Sequence, residues 1–306
     1  MPEGCASTTT AVSRFITSAD GLRLHVREYG NGPSQRLPVV CLPGLSRTAE
    51  DFHVLAGALA SDPVMPRRVL ALDYRGRGLS DYDSDPKNYA LPVELTDVIA
   101  VLDACSAAPA VIIGTSRGGL LAMMLAAVRP DAIAGAVLND IGPVIEAKGL
   151  MRIRDYVGKL PPPASFEDGA DILHHIADGQ FPKLSRADWI AAAKRAWREK
   201  DGCLVLTYDT ALAHNFAAIA IDKPLPAMWT QFEALAKMPL MVVRGDNSDI
   251  LSVETVDAMK VRAPAMEALV VPDQGHAPLL VEPEVIVRIA QFAGRCDAGC
   301  AAPASS

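Results

Sequence analysis

The chain has 306 residues, half of them hydrophobic and 21% charged, and carries a formal net charge of −7. That length holds one large α/β domain or a core with a smaller insertion, and the composition is that of a globular chain, not a disordered one. The acidic balance, with no Lys/Arg-rich run to neutralise phosphates, excludes nucleic acid as a main partner.

In chain order, Met1 to Phe15 is small and polar, unlike a secretory leader. Phe15-Ile-Thr and Leu22 to Tyr29 alternate apolar and polar residues around Ala19-Asp20-Gly21, the pattern of a hairpin. Short β-branched runs follow at Pro38–Leu42, Arg68–Leu72, Ala110–Ile113 and Ala136–Leu138, with little alternation, as expected of strands buried on both faces of a parallel sheet. Helical patterns at 49–61, 91–106 and 117–129 separate them. Strand-helix repetition predicts a doubly wound, mostly parallel α/β sheet. From Val144 to about Ala236 the rhythm becomes helical with almost no strand signal, and this stretch holds all three tryptophans. Sheet strands resume at Pro239–Arg244 and Ala268–Val271, and a last helix is predicted over Pro283–Phe292. The expected organisation is a core of residues 15–143 and 238–293, a helical insertion at 144–237, and flexible termini at 1–14 and 294–306.

The longest apolar run, Leu120–Val128, is too short to span a membrane. A soluble cytoplasmic protein with no membrane partner is expected. Of six cysteines, Cys41 and Cys105 read as buried thiols, and Cys296 and Cys300 as loose thiols in a Gly/Ala tail with no histidine near them. Neither a metal nor an organic cofactor is expected.

Gly114-Thr115-Ser116-Arg117-Gly118-Gly119 follows one predicted strand and opens the next helix. A serine on that turn needs a strained backbone and small neighbours, and the helix N-terminus beside it favours developing negative charge. Ser116 is therefore the candidate nucleophile. Pro43-Gly44-Leu45, directly after another strand, is placed to supply a backbone N–H to an oxyanion, most plausibly that of Leu45, with Arg117 supplying the second. Among six histidines only His276 lies just past the last strand, at the sheet edge where the serine turn also lies, and it is the candidate base. For the acid, Gly245-Asp246-Asn247-Ser248-Asp249 follows the penultimate strand; Asp249 is favoured over Asp246, and Asp140, ending an earlier strand, is a third candidate. Trp189, Trp197, Phe216 and Trp229 sit at helical spacing and suit core packing better than a pocket wall, while Arg47 and His214 read first as solvated surface groups and second as groups able to meet a substrate carboxylate.

The order Ser116…Asp249…His276, the serine turn, the Pro43-Gly44 loop and Asp73-Tyr74-Arg75-Gly76-Arg77-Gly78-Leu79-Ser80 together resemble the α/β-hydrolase fold superfamily. The resemblance implies that 144–237 is a cap carrying substrate choice and that Asp73–Ser80 shapes a turn. It implies hydrolysis of a small carboxylic ester or lactone through an acyl-enzyme, without a cofactor. Serine at position 116 disfavours the dehalogenase and epoxide-hydrolase branches, which use an aspartate there. A carbon–carbon bond hydrolase is the alternative activity, although Ala277 stands where such enzymes carry an aromatic residue. A non-catalytic ligand-binding protein on the same fold is the alternative of another class.

Overall fold

The computed structural model describes residues 11–30, 34–177, 179–216 and 225–300. Within them the core elements are β1 (Val12–Thr17), β2 (Arg23–Tyr29), β3 (Val39–Leu42), α1 (His53–Ala60), β4 (Val69–Leu72), α2 (Leu91–Ala104), β5 (Ala110–Thr115), α3 (Arg117–Val128) and β6 (Ile133–Asn139). Residues 144–237 hold α4 (Ala147–Tyr156), α5 (Phe166–Ile176), α6 (Arg186–Ala196), a hairpin of β7 (Trp197–Lys200) and β8 (Cys203–Leu206), and α7 (Trp229–Leu235). The core resumes with β9 (Leu240–Gly245), α8 (Val253–Arg262), β10 (Glu267–Val271) and α9 (Pro283–Cys300).

Eight strands form one sheet in the order β1-β2-β4-β3-β5-β6-β9-β10. The β1–β2 and β2–β4 pairs are antiparallel and the other pairs are parallel, which is the doubly wound sheet that the sequence predicts. The absence of alternation in the central strands has a direct cause. Val40, Leu42 and Ile112 pack into one apolar cluster with residues of α2, α3 and α8. Val39, Cys41, Val111 and Ile113 pack into a second with residues of α1 and α9. Successive side chains point to opposite faces, and both faces are covered.

Three expectations differ from what is found. The 144–237 segment is not wholly helical: Trp197↔Leu206 and Lys200↔Cys203 bound an antiparallel hairpin. Its turn, Asp201-Gly202, has φ of 51° and 78°, the paired positive values that a two-residue turn of this hand requires. This segment also has its own small core, in which Trp189, Trp197, Phe181 and Ala193 pack together. At the N-terminal end, residues 12–14 are strand, not a loose leader, paired in register with residues 26–28 of β2. At the C-terminal end, α9 continues through 294–300. Phe292 and Cys296 are buried on its inner side, and Asp297 pairs with Arg36 and Arg67, which holds the last turns in place. Residues 1–10, with Cys5, and 301–306 lie outside the described residues. No helix of the described residues is long and apolar enough to cross a membrane.

Candidate active site

Ser116 is held on the turn between β5 and α3 with φ of 51°, a left-handed conformation that costs a non-glycine residue energy. The surrounding glycines make that turn possible. A Cβ on Gly118 would lie 2.0 Å from the Leu42 carbonyl oxygen, and one on Gly114 would lie 2.5 Å from the Gly118 backbone. The chain there is packed backbone against backbone. The Ser116 N–H donates to the Asn139 carbonyl at 3.0 Å, tying the turn to the end of β6.

His276 reaches this serine from the loop after β10. Its Nε2 lies 2.8 Å from Ser116 Oγ, and its Nδ1 lies 2.8 Å from Asp140 Oδ2. The backbone N–H of His276 donates to Gln180 Oε1 at 2.8 Å, and Asn139 Nδ2 donates to the Pro278 carbonyl at 2.9 Å. The loop is thus fastened on both sides of the imidazole.

The acid expected at Asp249 is elsewhere. Asp249 faces Arg152 of α4, with two hydrogen bonds of 2.7 and 2.8 Å. Burial pushes its carboxyl upward, but the Arg152 hydrogen bond and charge outweigh that and hold it below the usual range. The carboxylate that meets His276 is Asp140, which is fully buried with φ of 56° at the end of β6. It also accepts the Gly245 N–H at 2.9 Å and the Ser248 hydroxyl at 2.6 Å. The reason is topological. β6 lies directly beside β5 in the sheet, so its carboxyl end is next to the serine turn, while β9 is one strand further away. Asp246 is exposed and Asp273 pairs with Lys183.

Both residues expected to donate to an oxyanion are at this place. Arg117 is the first residue of α3, where helix geometry leaves N–H groups without an intrahelical partner. Leu45 lines the adjoining cavity, and its carbonyl accepts Arg77 Nε at 2.9 Å. Sequence reasoning misses what joins them. Glu94, fully buried on α2, takes Arg77 Nη1 at 2.7 Å and Arg117 Nε at 2.5 Å. Burial works to raise the Glu94 carboxyl, yet the charges of Arg117 and Arg77 outweigh it and hold it ionised below the usual range. The arginine after the serine therefore serves a buried ion-pair network, and the signal for it was a glutamate on the apolar side of a predicted helix. Asp73–Ser80 is likewise more than a turn: Asp73 accepts the Ala49 N–H at 2.7 Å and the Leu79 N–H at 3.0 Å.

A cavity of about 550 Å³ opens over Ser116 and His276, lined among others by Leu45, Phe52, Tyr156 and Leu279. Trp189, Trp197 and Phe216 are buried in apolar clusters. Trp229 packs on Arg262, 3.9 Å from ring centre to guanidinium carbon. No group of three His, Cys, Asp or Glu side chains among the described residues is arranged to hold a metal ion.

A serine, an imidazole and a buried carboxylate in hydrogen-bonded line, beside a helix start, is an arrangement able to perform nucleophilic acyl transfer. Comparison with known proteins identifies the family. The sequence pattern of the alpha/beta hydrolase family matches residues 39–289. The chain is 43% identical to an alpha/beta hydrolase from Novosphingobium aromaticivorans of known crystal structure, covering 94% of this chain and 99% of that one with a TM-score of 0.87. It is 33% identical to a 3-hydroxybutyrate-oligomer hydrolase of Cupriavidus necator over 94% of this chain and 98% of that protein. A 2-(acetamidomethylene)succinate hydrolase of Mesorhizobium japonicum is 25% identical over 87% of this chain and 90% of its own length. On its sequence, its sheet and its site, the chain belongs to the alpha/beta hydrolase family.

Proposed function

We propose that the protein is a serine hydrolase of carboxylic esters that works through an acyl-enzyme on Ser116. The observation that carries this is the unbroken line Ser116 Oγ–His276 Nε2 and His276 Nδ1–Asp140 Oδ2, 2.8 Å at each step, at the floor of the cavity. In this reading His276 takes the hydroxyl proton as Ser116 Oγ attacks the ester carbonyl. Asp140 keeps the Nδ1–H tautomer and stabilises the imidazolium that forms. The N–H groups of Leu45 and Arg117 receive the oxyanion, and each such donor is worth about 3 kcal/mol of transition-state stabilisation. His276 then returns the proton to the departing alcohol, and a water activated by the same imidazole releases the acid. Residues 144–237 act as the cap that shapes the substrate end of the cavity.

The named activity of the Cupriavidus necator relative, on oligomers of a hydroxy acid joined by ester bonds, supports ester cleavage over carbon–carbon cleavage. The test is labelling by a fluorophosphonate followed by peptide mapping, together with turnover of p-nitrophenyl butyrate and of 3-hydroxybutyrate oligomers. Labelling at Ser116 and ester turnover are expected. Folded protein that neither labels nor hydrolyses any ester would refute the reading.

A further inference from the structure

The cavity over Ser116 is not electrically neutral along its length. Arg47, Lys194, Arg195 and Arg198 line it together with Ser116 and His276, in a chain whose overall charge is negative. The acidic groups on the same wall are already engaged. Asp73 is taken by His25 and two backbone amides, and Glu50 by Arg27. Asp51 is the remaining carboxylate, and two guanidinium groups divide it. Arg195 Nε lies 3.1 Å from its Oδ1, while Arg47 Nη1 is 3.5 Å from the same oxygen. Its Oδ2 accepts the Thr48 N–H at 3.2 Å in a capping box. Arg198 donates to the Gly78 carbonyl at 2.8 Å, and Lys194 Nζ lies 5.9 Å from the centre of the Phe166 ring. Of the four cations on this wall, only Arg47 and Arg195 reach that one carboxylate, and neither Arg198 nor Lys194 meets a carboxylate in these contacts.

This positive wall begins beside the serine. Arg47 Cγ and Ser116 Cβ lie 3.3 and 3.8 Å from the one point where a Cβ on Gly44 would sit. Arg47 comes from the loop after β3, and the other three cations come from α6 and β7, so the cluster is assembled from both sides of the cavity. A guanidinium can bind a carboxylate through two parallel N–H donors.

We propose that Arg47, Arg195 and Arg198, with Lys194 behind them, form a carboxylate subsite. They would select esters that carry a free carboxylate a few bonds from the scissile carbonyl. On substrate entry Arg47 leaves its long contact with Asp51 for the substrate carboxylate, and Arg195 keeps that aspartate paired. The proposal rests on the hydrolase reading above, and its test separates the two. The linear dimer of 3-hydroxybutyrate and its methyl ester share the internal ester and differ in terminal charge, and turnover of each is read as cleavage of that internal bond alone. Wild-type protein should favour the free acid by about tenfold or more in kcat/KM, the size of one charge-assisted hydrogen bond, through KM. Added salt should erode that preference.

Arg47→Gln and Arg198→Gln should each reduce the ratio of acid to methyl-ester turnover toward one. Arg186→Gln, on α6 in an exposed pair with Asp171 of α5, should leave the ratio unchanged. Equal use of acid and methyl ester by wild type, or an unchanged ratio in both variants, would overturn the subsite. Turnover of p-nitrophenyl butyrate but of neither dimer would also overturn it while leaving the hydrolase reading intact. Failure to label at Ser116 would instead remove the hydrolase reading.

Discussion

Two Ser-His-Asp strings present their serine and histidine to the same cavity. Ser116–His276–Asp140 has steps of 2.8 and 2.8 Å; Ser13–His25–Asp73 has steps of 2.9 and 2.7 Å. In both, a buried carboxylate meets one nitrogen of an imidazole and a serine hydroxyl meets the other. Their hydrogen-bond lengths do not tell them apart; the backbone around each serine does. Ser116 sits at a left-handed turn with a helix starting at the next residue. Ser13 lies within extended strand β1, opposite Arg27, with no helix start to converge amides on a developing charge. The aspartates differ too. Asp73 spends one oxygen on the Ala49 amide and shares the other between His25 and the Leu79 amide, so it ties three chain segments together. Hydrogen-bonded residues of the right types are therefore a weaker signature of chemistry than donors placed where charge will appear.

Substitutions can break or sharpen that contrast. The largest effect is expected at the serines. Ser116→Ala should abolish fluorophosphonate labelling and lower ester turnover by about 10⁶-fold, while Ser13→Ala should label as wild type does. Loss of labelling in the Ser13 variant would erase the distinction. Next come the aspartates: Asp140→Asn should lower kcat by about 10⁴-fold through the wrong histidine tautomer. Asp73→Asn should instead act on folding, lowering the urea-derived stability by about 1–3 kcal/mol as an amide loses its acceptor.

The donors themselves can be disturbed through Glu94. Glu94→Gln breaks a buried pair and should cost about 3–5 kcal/mol, with turnover falling more than in the Asp73 variant. Its pH signature has a definite sign. Because the folded Glu94 carboxyl is held below its ordinary value, its contribution is present above the unfolded pKa and is lost as pH falls through the folded one. The acid limb of the stability curve should therefore be shallower in the variant. The smallest effect belongs to Asp249→Asn, in which kcat should stay within about threefold of wild type because His276 keeps its own partner. A collapse in kcat there would return the acid role to Asp249.

These cases also show what was legible in the sequence. The serine turn was readable because its requirements are local: a strand before, a helix after, and glycine where backbones touch. His276 was readable from its position after the last strand. Asp140 stood only as a third candidate, because its contact with His276 depends on β6 lying beside β5 and on a left-handed residue at the strand end, neither of which leaves a local mark. Asp249 looked suitable by loop position, and a long-range partner on α4, Arg152, claims it instead. The β7–β8 hairpin did leave a mark, Asp201-Gly202, which the surrounding helical periodicity obscured. The pairing of Arg77 and Arg117 through Glu94 was not legible, because the three residues meet only when the fold closes.

The end of α9 bears on how this chain can be shortened. Composition alone would invite trimming before Gly294, since a Gly/Ala tail looks dispensable. Asp297, however, supplies the carboxylate for Arg67, whose side chain is 1% exposed and also donates to the Leu37 carbonyl at the entry to β3. Cutting there would strand a guanidinium in the interior and unpin the approach to a central strand, at a cost of about 3–5 kcal/mol. A protease or a cloning boundary acting at that helix would reach the active-site sheet from the opposite end of its strands.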